Sequence, residues 1–151
     1  MYFDEKVIIL NGSAKTKEEA LSELANLMLT KNSVNESFLE NVLKREEVYP
    51  TGLLVNGVGI AIPHTDSEYV KKSQLGFMSL ETPVVFNEMG TLDKKVEVNL
   101  IFMLALKEAH EQLSMLQQLI EMFQNESVIS SLFEIETEEE FIKLMESQNL
   151  K

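Results

Sequence analysis

Between Leu53 and Leu106 the chain carries three extended runs, "LLVNGVGIAI", "LGFMSLETPVVF" and "VEVNLIFMLAL", rich in β-branched and aromatic residues. Such runs read as partly or fully buried strands, because the branched and aromatic side chains pack on a pleated surface. A sheet built from them needs cover, and the flanking segments supply it. Before the block, "VIIL" at Val7 to Leu10 reads as a short strand closed by Asn11 and Gly12. Thr16 with Glu19 forms a candidate capping box, and Ala20, Leu21, Leu24, Leu27 and Met28 follow at helical spacing. A second helix is expected over 36–45, with Phe38, Leu39, Val42 and Leu43 as its buried stripe, and Pro50 and Gly52 punctuate its exit. After the block, Leu113, Leu116, Ile120 and Phe123 predict a helix from about His110. A last helix opens at Thr137, where Glu138, Glu139 and Glu140 suit the positive N-terminal end.

The order is therefore strand, two helices, a block of strands, then helices. Three layers, with helices on both faces of a mixed sheet, bury these stripes best, so the expected class is α/β. The 151 residues suit one compact domain spanning 1–151, with no internal repeat, linker or low-complexity stretch.

Charge narrows the partners. Thirteen basic against 25 acidic residues give a net −12, which argues against nucleic acid, since phosphate-backbone binding needs a clustered basic footprint. An anionic membrane surface is disfavoured too, whereas a basic protein partner would be steered toward the chain. The absence of cysteine removes disulfides, thiolate metal sites and cysteine nucleophiles. No run approaches 18 apolar residues, and the opening "MYFDEKVIIL" lacks the basic start of a signal peptide. The expectation is a soluble, cytoplasmic protein.

Three side chains carry candidate chemistry. His64 stands in "GVGIAIPHTD", where Pro63 fixes one backbone dihedral and biases Ile62 toward extended geometry. The strand should hold up to the histidine, and Gly57 and Gly59 just upstream permit close approach of another group. A strand end followed by a turn is the plain reading; a nucleophilic imidazole, largely neutral at pH 7, is the functional one. His110 falls three residues before Leu113 and so on the expected buried stripe of its helix, near the N-terminus. It is either a packed helix-start residue or a neighbour of His64, brought back to the same sheet end by the preceding strand. Arg45, near the end of the second helix, either complements the helix dipole or offers its planar fork to phosphoryl oxygens. Arginine and two histidines, without a paired carboxylate or metal-ligand spacing, suggest phosphoryl handling more than hydrolysis. A His64, His110 and Asp66 metal site is disfavoured because His64 and Asp66 on one strand–turn chelate poorly. No Gly-rich nucleotide loop is present, so a phosphoryl group would not come from ATP bound here. No cofactor is expected.

Taken together, "REEVYPTGL" at Arg45 to Leu53, "GIAIPHTD" at Gly59 to Asp66 and "FMLALKEAHEQLSMLQQL" at Phe102 to Leu119 resemble the enzyme IIA component of the bacterial sugar phosphotransferase system (PTS). The likeness is to the fructose–mannitol superfamily, its galactitol-type branch most of all, and runs from about Tyr2 to Gln148. It implies that His64 is the phosphorylated nucleophile, with Arg45 and His110 lining the site and stabilising the phosphoryl group. The implied donor is the phosphocarrier protein HPr and the implied acceptor a IIB component that serves a membrane IIC. With no cysteine for a galactitol-type IIB and no membrane run for a IIC, a free-standing IIA subunit is expected, its partners being separate chains. A regulatory IIA-like module that signals phosphorylation state by binding target proteins would keep the same histidine. The sugar is not readable, because a IIA domain does not touch it.

Overall fold

The computed structural model describes residues 1–150. Five strands form one mixed sheet in the order β1-β4-β5-β3-β2. They are β1 (Ile8–Gly12), β2 (Gly52–Val55), β3 (Val58–Ala61), β4 (Gln74–Asn87) and β5 (Lys95–Ala105). β1 runs parallel to β4 and β3 parallel to β5, whereas β2 with β3 and β4 with β5 are antiparallel. Five helices cover the sheet: α1 (Lys17–Thr30), α2 (Phe38–Val48), α3 (Ala109–Phe123), α4 (Glu126–Glu134) and α5 (Glu138–Ser147).

The expected three layers are present. The central position of β5 explains why its second half, Leu100 to Ala105, is a continuous apolar run: it is buried on both faces. Leu100, Phe102 and Leu104 join a core with Leu119, Phe123, Leu132 and Phe141 from α3, α4 and α5. The alternate residues Ile101, Met103 and Ala105 join a second core with Leu21, Leu24, Phe38 and Val42 from α1 and α2. Phe77 stacks on Phe141 at 4.3 Å between centroids and meets Phe102 edge-on at 5.0 Å, which seats α5 on the sheet.

Local chemistry sets the boundaries. Thr16 caps α1 by accepting the Glu19 N–H at 3.1 Å, and Thr137 caps α5 by accepting that of Glu140 at 3.1 Å, both as the sequence predicts. Three features differ from expectation. The run "LLVNGVGIAI" is two strands joined by a tight turn, with Asn56 at φ 49° and Gly57 at φ 82°. An Asn-Gly pair with both φ positive matches the right-handed twist of a hairpin, so Gly57 serves backbone conformation, and nothing lies within 4 Å of where its Cβ would be. Gly59 is the close approach: a Cβ there would lie 1.8 Å from the Glu97 carbonyl oxygen of β5. Second, α2 starts at Phe38 and continues to Val48, ending just before Pro50. Third, Asn125 caps a separate helix α4 by accepting the Ser127 N–H at 3.1 Å, where the sequence reading assigned no element.

The stripe expected on α3 holds in part: Phe123 is buried and Leu116 and Ile120 pack half-buried against the core, but Leu113 does not. Met115, Leu119, Met122 and Phe123 are buried, while Leu113 is 63% exposed. The same correction applies to His110, which is exposed on the first turn of α3 and not on its buried face. Apolar residues on more than one side of this helix left the facing of its first turn open, and packing against the sheet set it.

Candidate functional site

β3 delivers His64. Regular pairing of β3 with β5 ends near Ala61 and Ile101, but the extended path continues through Ile62 and Pro63. The Leu104 N–H donates to the Pro63 carbonyl at 3.0 Å, and His64 forms a parallel bridge to Leu104. Pro63 has no N–H to offer the sheet, so the pairing passes to its carbonyl. The imidazole therefore hangs from a backbone tied to the central strand.

One hydrogen bond orients the ring. His64 Nδ1 lies 2.9 Å from the carbonyl oxygen of Ile62. A carbonyl only accepts, so Nδ1 carries the proton and Nε2 keeps its lone pair. His64 is 8% exposed. Burial pushes its pKa below 6.5; the Ile62 bond pulls it back in part, Arg45 lowers it further and Asp66 opposes. At pH 7 the ring is a neutral base with Nε2 free, which is the state a nucleophile needs.

Arg45 comes from the last turn of α2. It and His64 line one open cleft of about 530 Å³, with Tyr49, Thr51, Met89 and Leu92 among the other walls. The guanidinium carbon lies 5.2 Å from the centroid of the Tyr49 ring, a cation–π distance that steadies the side chain. Its Nε is buried and without a hydrogen-bond partner among the described residues. A phosphoryl group beside His64 would present several acceptor oxygens to this fork.

The structure brings Arg45 and His64 together and leaves His110 outside the cleft wall. His110 follows β5 by a short connection, so α3 begins at the sheet end where Pro63 and His64 sit, as expected from the sequence. The cleft wall from α3 is Leu116 instead. Asp66 is exposed. Among the described residues no group of three or more His, Cys, Asp or Glu is placed to hold a metal ion.

Two parts of the site escaped the sequence reading. The turn between β4 and β5 places Met89, Gly90, Thr91 and Leu92 along the cleft. It is held there because the Met89 N–H donates to the Gly52 carbonyl at 2.7 Å. Gly90, at φ 87°, was a turn signal, but nothing local told where the turn would fold. Glu46 is the other. It is 2% exposed and bonds Thr51, which lines the cleft. Its signal was present: Phe38, Val42 and Glu46 recur every four residues, so a stripe counted one step further ends on a carboxylate.

Comparison with known proteins identifies the scaffold. The family described as "Phosphoenolpyruvate-dependent sugar phosphotransferase system, EIIA 2" matches residues 1–148. The chain belongs to that family. It is a phosphotransferase-system EIIA component, a class of protein that mediates phosphoryl transfer. The galactitol-specific EIIA component of Escherichia coli K12 is 28% identical to it over 116 residues, covering 77% of each chain. A multiphosphoryl transfer protein of Escherichia coli O6:H1 is 30% identical over 146 residues, 93% of this chain but 16% of that protein. A solved complex of enzyme IIAMtl with phosphorylated enzyme IIBMtl from Escherichia coli contains a chain matched with a TM-score of 0.76. That match is at 27% identity and covers 95% of this chain and 96% of the other. The EIIA fold is thus common to them. No helix among the described residues is long and apolar enough to cross a membrane.

Proposed function

We propose that this EIIA chain is a phosphohistidine carrier: Nε2 of His64 accepts a phosphoryl group from phosphorylated HPr and passes it to a IIB component. The step serves uptake and phosphorylation of a sugar or sugar alcohol, galactitol being the one indicated by the similarity to a galactitol-specific EIIA component. The chain would work in the cytoplasm as one IIA unit, reaching the IIC transporter only through IIB.

The observation that carries this reading is the Nδ1 bond to the Ile62 carbonyl, because it leaves Nε2 as the unprotonated nitrogen beside Arg45. In the transfer, the phosphorus–nitrogen bond of the donor's phosphohistidine breaks as a bond from Nε2 to phosphorus forms. The proton stays on Nδ1. The ring gains positive charge in that step, and the Ile62 carbonyl, already accepting from Nδ1, stabilises it. The Arg45 fork meets the charge on the equatorial oxygens, and positioning with charge stabilisation is most of what phosphoryl transfer asks of a protein. Return of the group to IIB is the same step reversed onto another acceptor. His110, exposed on the first turn of α3, is assigned the onward step, meeting the phosphoryl group once a partner is docked.

A protein partner suits the surroundings. Val48, Tyr49 and Leu92 are exposed on the cleft walls, an apolar surface beside a buried nucleophile. The complex of IIAMtl with phosphorylated IIBMtl supports a IIB partner for a chain of this fold.

Incubation with phosphorylated HPr tests the reading. The wild type is expected to take up one acid-labile phosphoryl group, and His64→Ala none. His110→Ala is expected to accept normally and to pass the group to IIB more slowly, by about 10²-fold if it supplies a preorganised donor. Normal labelling of His64→Ala would overturn the assignment.

A further inference from the structure

Next to Arg45 in sequence, Glu46 turns inward. Its Oε2 accepts the Thr51 backbone N–H at 2.8 Å, and its Oε1 accepts the Thr51 hydroxyl at 2.8 Å. The Thr51 Oγ1 in turn accepts the Ile62 N–H at 3.2 Å, a donor shared with the Thr51 carbonyl at 3.4 Å. The Ile62 carbonyl then accepts from His64 Nδ1. All the donors point one way, from the imidazole toward the carboxylate. The two bonds at Ile62 belong to the peptide groups on either side of its Cα, so the run transmits position and not charge.

The Ile62 carbonyl sets the ring, and the sheet holds the Ile62 backbone only weakly, the next β2–β3 rung being its long 3.4 Å bond to the Thr51 carbonyl. Regular β3 pairing stops at Ala61, and Pro63 contributes no N–H. The Thr51 hydroxyl reinforces that weak rung at 3.2 Å, and Glu46 fixes Thr51 by two points. A carboxylate is a costly choice for this duty. Burial pushes its pKa up to about 7 although both Thr51 bonds favour the charged form. An apolar residue would continue the Phe38 and Val42 stripe without that desolvation penalty.

We propose that Glu46 is a positioning residue for phosphoryl transfer, acting through Thr51 to hold the Ile62 backbone that fixes the ring orientation and Nδ1–H tautomer of His64. The inference rests on His64 as the phosphoryl acceptor. Its distinctive prediction concerns the resting imidazole, which is read without any phosphoryl donor.

Three variants test it: Glu46→Gln, Thr51→Val, which keeps the shape and loses the hydroxyl, and Thr51→Ser, which keeps the hydroxyl. For each, the ring 15N shifts of His64 give the tautomer ratio, single-turnover uptake from phosphorylated HPr gives rate and donor affinity, and a thermal melt gives stability. Glu46→Gln and Thr51→Val are expected to shift the ring toward a tautomer mixture and slow uptake at saturating donor by about tenfold or more, with donor affinity little changed. Thr51→Ser is expected to restore both. A wild-type tautomer and rate in folded Glu46→Gln and Thr51→Val would overturn the proposal, as would a loss of rate that only follows the unfolded fraction. If Glu46→Gln does not fold, Thr51→Val against Thr51→Ser decides alone. Phosphoryl uptake by His64→Ala would instead sink the acceptor reading, leaving the tautomer result to judge Glu46 separately.

Discussion

A bond to a main-chain carbonyl 2.9 Å away leaves His64 with one unprotonated ring nitrogen, the one the proposed transfer would use. Its placement was legible: a histidine behind a proline at a strand end stands where the strand delivers it, and Arg45 lines the same cleft as the motif-level likeness implies. Which nitrogen is free was not legible, because the partner is a backbone atom and any residue at position 62 except one with altered geometry supplies it. Nor was the exposure of His110, which depends on a helix phase set by packing. Arg45 carries the sharper test at this scale. If it clamps phosphoryl oxygens in two places, Arg45→Lys keeps the charge and loses the fork, so phosphoryl uptake through His64 falls while the melting temperature holds. If it only complements the end of α2, lysine serves within about 0.5 kcal/mol of stability and at full rate. A wild-type uptake rate in Arg45→Lys would remove it from the site.

Among the elements, β3 does most to place the site, and the glycine of the turn before it and the glycine within it act by different physics. Gly57 occupies the positive-φ position of the hairpin turn in open space, while Gly59 faces the β5 backbone at Glu97. Gly57→Ala should therefore cost about 1 kcal/mol, the strain of a left-handed alanine. Gly59→Ala has no room unless the β3–β5 pairing opens, so its cost should exceed the roughly 1–3 kcal/mol usual for overpacking. Urea titration of the two variants checks the order, and equal losses would mean that β3 is not pressed against β5 as described. The strand content was readable from the apolar runs, but the hairpin within "LLVNGVGIAI" was hidden by their continuity. Asn56-Gly57 was the available signal, since that pair favours a two-residue turn. The missing helix α4 had a signal too, in the cap at Asn125.

For the whole molecule, burial of β5 on both faces from Leu100 to Ala105 fixes the layers, and the layers fix the site. The same parallel pairing that makes β5 apolar on both faces brings the ends of β3 and β5 side by side, where Pro63 and His64 meet Leu104. α2 supplies Arg45 and Glu46 from one face of the sheet and α3 supplies Leu116 from the other. Fold class and layer order were legible because they follow from local periodicity. The cleft was only partly legible, because its β4–β5 turn and its Glu46–Thr51 clamp join residues through tertiary contacts. All of this geometry converges on one claim, that the phosphoryl group rides on Nε2 of His64 with the proton retained on Nδ1. Labelling the histidines with 15N, phosphorylating the chain with phosphorylated HPr and recording which ring nitrogen couples to 31P tests that claim directly. Coupling to Nε2 of His64, with Nδ1 still protonated, is the predicted result. Coupling to Nδ1, or to either nitrogen of His110, would contradict it.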